Sequence, residues 1–243
     1  FKMDINKNFK NLNFKLQKAG INVSINFDTN QNLNIKRGIF KSKILNTNIK
    51  FNFDYDGKIL KINNSFFRNK NLSFNNDSLI FFKPYVDIYS KLVVEDFNFK
   101  LFEKVDLDKV LANKVFIKKI NSKNEIYFKS KKFSQNLINE LDLKIDLAYG
   151  RISYTKKIVA EENIFKCKGD INLLEEMPSL LFNCSINSED KKKLLKIFSI
   201  KSKKKGKPLK VIAQGNINIK RKEVNFEKIS IDDFLTSKED LKY

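Results

Sequence analysis

Apolar and polar residues alternate with a period of two along most of the chain. In "LKVIAQGNINIK", Leu209, Val211, Ala213, Gly215, Ile217 and Ile219 fall at every second position, and mostly Lys, Gln and Asn lie between them. This is the pattern of a β-strand with one dry face and one wet face. After a break at Ala19-Gly20, Ile21, Val23, Ile25 and Phe27 alternate with Asn22, Ser24, Asn26 and Asp28. "TNQN" then reads as a turn. Ile49, Phe51, Phe53 and Tyr55 line another face, and Asp56-Gly57 is a hairpin signal. Leu141, Leu143, Ile145, Leu147 and Tyr149 repeat the rhythm before a turn near Gly150. Phe165, Cys167, Gly169, Ile171 and Leu173 do so again, and Phe182, Cys184 and Ile186 follow a turn near Glu175 to Pro178.

Two stretches depart from simple alternation. From Leu79 to Phe102, Val86, Ile88, Leu92 and Val94 interleave with Tyr85, Tyr89 and Val93. Both faces are then apolar, which predicts central strands with something packed behind, the candidate cover being a short helix starting near Asp106 or Asp108. "SEDKKKLLKIFSI" is the clearest helix, with Ser188 as its cap, Glu189 and Asp190 at its positive end, and a stripe of Leu194, Leu195 and Phe198. The tally is about fifteen to eighteen short strands and two or three short helices, with turns spaced by about 8–12 residues. The predicted fold class is mainly β, an antiparallel meander rather than βαβ units. The whole of 1–243 is read as one elongated β-rich domain or fragment, with a subdivision near 103–140 as the alternative.

Composition narrows the chemistry. The 243 residues are 42% hydrophobic and 31% charged, with Gly 7 and Pro 3, so the chain is neither disordered nor collagen-like. His 0 and Cys 2 leave no Ser-His-Asp or Cys-His arrangement and no zinc cluster. No phosphate-binding glycine loop or nucleophile elbow occurs, and no acidic pair stands out. A non-enzymatic protein without cofactor or metal is expected. The net charge of +20, from Lys+Arg 48 against Asp+Glu 28, points to anionic partners. A/T-rich codons, which favour Lys, Asn, Ile and Phe, offer a second origin for that bias. Arg occurs only as scattered singles, and no nucleic-acid motif is present, so a nucleic-acid partner is not expected. No run is apolar enough for a membrane-spanning helix and no signal peptide is visible. Since the chain begins at Phe1, it is expected to be a processed form or an excised piece.

Three local features have two readings each. "NFDYDG" (Asn52, Asp54, Asp56, Gly57) matches the first half of an EF-hand loop, but position twelve is Asn63 rather than Glu, and a hairpin turn explains every residue. Cys167 and Cys184 lie opposite each other if the intervening hairpin centres between Glu175 and Glu176, which allows a disulfide; two buried free thiols are the alternative. The basic loop from Lys201 to Lys210 and the Lys191 to Lys193 run could grip phosphates or simply be solvated.

The segments "GDINLLEEMPSLLFNCSI" and "PLKVIAQGNINIKRKEVNFEKISI" resemble the C-terminal region of AsmA-like proteins. The rhythm of Gly215, Ile217, Ile219, Lys222, Val224, Phe226 and Ile229 carries most of the likeness, and "FDYDGKILKINNSFF" is similar in style to the family's β elements. The resemblance implies a long, curved antiparallel sheet forming an apolar groove, of the bridge-like lipid-transfer type. It further implies a periplasmic protein anchored in the bacterial inner membrane by an N-terminal helix that this chain lacks, with phospholipid or another lipid as partner and a role in outer-membrane assembly or lipid homeostasis. Ile21, Val23, Ile25, Phe27, Ile49, Phe51, Phe53, Leu143, Ile145, Leu147, Val211, Ile217 and Ile219 are then the candidate groove lining. Lys203, Lys204 and Lys205 are the headgroup candidates. A closed β scaffold with a dry core is the rival reading.

Overall fold

The computed structural model describes residues 2–5, 11–16, 20–28, 35–98, 112, 114–130, 138–200 and 206–237. The protein is mainly β, and its ladders are antiparallel. The chain divides into two compact units: Phe1–Asp106 with Lys119–Ile126, and Leu107–Lys118 with Tyr127–Tyr243.

The first unit holds β1 (Lys2–Ile5), β2 (Asn11–Leu16), β3 (Ile21–Phe27), β4 (Lys36–Ile44), β5 (Thr47–Tyr55), β6 (Ile59–Arg68), β7 (Leu72–Phe81) and β8 (Val86–Phe97). Each strand pairs antiparallel with its chain neighbour, so the ladder order is the chain order. Short connections leave little choice, because hairpins return a strand beside the one before it. Directly opposed residues share a face. The register therefore gathers Ile21, Val23, Ile25 and Phe27 with Phe40 of β4 and with Ile49, Phe51 and Phe53 of β5. It extends that face through Leu60, Ile62 and Phe67 of β6, Phe74 and Ile80 of β7, and Ile88, Leu92 and Val94 of β8. Register shifts in β6 and β8 keep the apolar positions on this side. The first sits beside Asn64, whose left-handed φ of 48° suits an asparagine at a bulge.

β9 (Ile120–Lys129) begins in the first unit and ends in the second. The second unit also contains α1 (Lys114–Ile117), β10 (Glu140–Ala148), β11 (Arg151–Ala160), β12 (Asn163–Asn172), β13 (Ser179–Ser188), α2 (Lys191–Ile197), β14 (Leu209–Asn218), β15 (Glu223–Ile231) and β16 (Phe234–Leu235). From β10 onward, strands again pair antiparallel in chain order. Among the described residues β1 pairs only with β2, and β16 only with β15, so the meander is not closed.

Several expectations need correction. Among the described residues no helix covers the far side of β8: Tyr89 is 39% exposed and Val93 48%, on the side away from Ile88 and Leu92, and Tyr89 meets side chains such as Lys123, whose ammonium lies 5.8 Å from its ring centre. Of the expected covering helix, Asp106 and Asp108 lie outside the described residues. Its described end is α1, whose Ile117 packs with Ile171 and Leu173 in the second unit. Asp190, not Ser188, caps α2; its carboxylate accepts from the N–H groups of Lys192 and Lys193. The reason is that β13 runs on through Ser188, which pairs with Leu209, so the chain stays extended two residues longer. The "TNQN" turn falls outside the described residues.

Candidate functional site

The two units present their apolar faces differently. In the first, every apolar residue of the shared face named above is half-buried, and among the described residues no hydrophobic side chain of that unit is buried. What shelters these side chains is cross-strand contact. Phe40 stacks on Phe51 at 4.6 Å and Phe67 on Phe74 at 4.8 Å, ring centre to ring centre. Phe27 meets Phe53 edge to face at 5.8 Å, above Gly38. A Cβ on Gly38 would stand 2.3 Å from the Asn26 carbonyl oxygen and 3.0 Å from Phe53 Cζ, so the arrangement requires glycine there. Four polar side chains on this face form a linked group. The Ser78 hydroxyl bonds the Asn76 amide oxygen and the Ser90 hydroxyl, each at 2.9 Å, and Ser65 bonds the Asn76 backbone. Ser42 differs: it is buried, and its hydroxyl has no hydrogen-bond partner among the described residues.

In the second unit the register collects Leu143, Ile145 and Leu147 of β10, Ile152, Tyr154 and Ile158 of β11, Phe165 and Ile171 of β12, Leu180, Phe182 and Ile186 of β13, and Val211 and Ile217 of β14 on one face. Both ends of that face are covered. At one end Ile117 of α1 packs with Ile171 and Leu173, against Leu147, Ile152, Leu180 and Ile219. Lys114 holds α1 there by donating from Nζ to the Leu174 and Glu175 carbonyls. At the other end the Phe198 ring, just past α2, meets Phe165 edge to face at 6.4 Å. Between these ends the strands carry Tyr154, Cys167, Cys184 and Ala213, all half-buried. Phe182 and Phe226 meet at 5.8 Å over Gly215, repeating the arrangement at Gly38.

Of the lining residues expected from sequence, the seven in β3 and β5 share one face of the first unit. Leu143, Ile145, Val211 and Ile217 share one face of the second. Leu147 and Ile219 are part of the packing around Ile117 and are not open lining; Ile219 lies past the end of β14, where its N–H donates to the Pro178 carbonyl. The β12–β13 register sets Cys167 opposite Cys184, with Cα atoms 4.1 Å apart, and the two sulphurs are bonded. Lys203, Lys204 and Lys205 lie outside the described residues. The acidic residues of "NFDYDG" are taken up by structure. Asp56 accepts from the N–H groups of Lys58 and Ile59 at 2.8 and 2.7 Å, and Asp54 pairs with Arg37 at 3.2 Å.

One residue escaped the sequence reading. Lys156 stands opposite Leu143 on one side and Cys167 on the other, so it belongs to the apolar face of the second unit. Its neighbours Thr155 and Lys157 are exposed, whereas Lys156 is half-buried. The signal was present in "RISYTKKIVA", where Lys156 occupies the place between Tyr154 and Ile158 in the apolar alternation. Burial raises the Tyr154 phenol above its ordinary range. No family model, curated protein or solved structure matches this chain.

Proposed function

We propose that the protein is a non-enzymatic lipid-binding protein in which acyl chains take the place of a missing second layer over the apolar sheet face. The observation that carries this reading is the first unit's face, apolar across β3 to β8 yet without a buried hydrophobic side chain among the described residues. An antiparallel sheet ordinarily packs its apolar face on a core and leaves only the other to water. Contiguous apolar surface that stays partly open to water, as on this half-buried face, supports an interaction site or a ligand groove. Transfer of an acyl chain from water gains about 0.8 kcal/mol per CH₂, whereas transfer from a bilayer is nearly neutral, which suits reversible carriage.

A curved sheet forming a groove is the shape this function calls for. The resemblance to AsmA-like proteins extends the reading to a periplasmic location, attachment to the bacterial inner membrane, and a part in outer-membrane assembly or lipid homeostasis. The Cys167–Cys184 bond supports an oxidising compartment. Native mass spectrometry and solvent extraction of the purified protein test the proposal. Co-purifying lipid at a stoichiometric ratio is expected; a lipid-free protein that takes up none from vesicles favours the closed scaffold and refutes it.

A further inference from the structure

Among the described strand residues, the apolar face of the second unit carries one charge, Lys156, and its position is specific. Across β10 to β15 the register pairs no acidic residue on the apolar side, and Glu227, unpaired where the β14–β15 register shifts, accepts from the side-chain amide of Asn216, a residue of the polar side, at 3.3 Å. Asp142, which stands opposite Lys157, is on the other side of the sheet. Lys156 has no ion-pair or hydrogen-bond partner among the described residues. A long lysine stem packs readily on apolar surface, but its ammonium must find either water or an anion. Here it lies away from the covered ends. Along β11 it is four residues from Ile152 and two from Ile158, roughly 13 Å and 7 Å at strand spacing. Two residues away on the same side, the Tyr154 hydroxyl also lacks a hydrogen-bond partner among the described residues. An ammonium and a phenol on one side of one strand make two donors for one acidic group.

This inference rests on the lipid-binding reading above and refines it. We infer that Lys156, aided by Tyr154, receives the negatively charged headgroup of an anionic phospholipid whose tails lie on the uncovered middle of this face. A zwitterionic lipid satisfies the site less well. It brings an ammonium of its own, and the face offers no carboxylate to receive it. The protein therefore selects lipids by headgroup charge as well as by tail.

The test is uptake from two vesicle populations, phosphatidylcholine alone and phosphatidylcholine mixed equally with phosphatidylglycerol. Protein is recovered and its lipid identified by mass spectrometry. The wild type is expected to enrich phosphatidylglycerol about tenfold, the scale of one charge-assisted hydrogen bond. Lys156→Met should abolish the enrichment while keeping the total lipid-to-protein ratio, and Lys156→Gln should act likewise, which guards against a packing effect of the methionine. Lys157→Met, one residue along on the polar side, should leave the enrichment intact. Uptake without headgroup preference, enrichment that survives loss of Lys156, or an equal loss on removing Lys157 overturns the inference and leaves lipid binding standing. No uptake from either population overturns both.

Discussion

Replacing Gly215 by alanine sets two physical effects against each other, and the sign of the result decides between them. Within a strand, alanine is ordinarily better than glycine, because it gives up less backbone freedom on folding; the gain is about 0.4–1 kcal/mol. The structure opposes that gain. A Cβ at Gly215 would lie 2.1 Å from the Asn225 carbonyl oxygen and 3.0 Å from both Phe182 Cζ and Phe226 Cα. The first of these is backbone, fixed by the β14–β15 ladder where its register shifts beside Gly215. It cannot swing aside as a side chain does. The Phe182 and Phe226 rings, which meet over the glycine, would also have to part. Overpacking of this kind costs about 1–3 kcal/mol. The net expectation is a loss of about 1–2 kcal/mol, and a melting temperature lower by about 2–4 °C for each kcal/mol. Thermal and urea unfolding followed by far-ultraviolet circular dichroism measures it. Gly38→Ala repeats the experiment in the other unit, where Asn26 and Phe53 create the same obstacle. Equal or greater stability in both variants would refute the reasoning, because strand propensity alone would then account for the result.

Two further outcomes follow from single features. The Cys167–Cys184 bond closes a loop of sequence separation 17, so replacing both cysteines by serine should cost about 3 kcal/mol of stability; a urea midpoint unchanged by reductant in the wild type would contradict this. The Asp56 carboxyl is held below its ordinary value by the N–H groups of Ile59 and then Lys58. Its contribution is therefore fully present above the unfolded-state pKa and lost as pH falls through the lowered folded-state value. The stability difference between wild type and Asp56→Ala should accordingly close on acidification, and a difference constant from neutral pH down to strong acid would rule the mechanism out.

Local alternation made the strands legible, because side-chain direction in a strand depends only on the count of residues. The same counting placed Cys167 opposite Cys184, given a hairpin centred between Glu175 and Glu176. Counting fails where one residue is inserted. The bulge near Asn64 and the extra residue at Glu95 of β8 each reverse the parity, so that positions Phe67 and Phe97 join the even-numbered apolar positions that precede them, whereas Tyr89 and Val93 do lie on the side away from Ile88 and Leu92. It also cannot show which apolar residues are covered. Leu147 and Leu143 have the same pattern, yet only Leu147 lies under Ile117, because that contact depends on where α1 comes down. Lys156 was overlooked for another reason: beside Lys157 it reads as part of a solvated pair, although the alternation of Ile152, Tyr154 and Ile158 already puts it on their side.

An apolar face with no second layer among the described residues should be costly, and the cross-strand rings show how the cost is held down. Each stacked or edge-to-face pair removes aromatic area from water without any covering element, and adds about 0.5–1.5 kcal/mol beyond that burial. Phe40 with Phe51, Phe67 with Phe74 and Phe27 with Phe53 do this across neighbouring strands of the first unit. The glycines at 38 and 215 let two rings from flanking strands close over the strand between them. The sheet thus stabilises itself laterally, within its own plane. If the proposed function holds, this lateral stabilisation lets the protein keep its fold between guests and take up or release an acyl chain without opening a core.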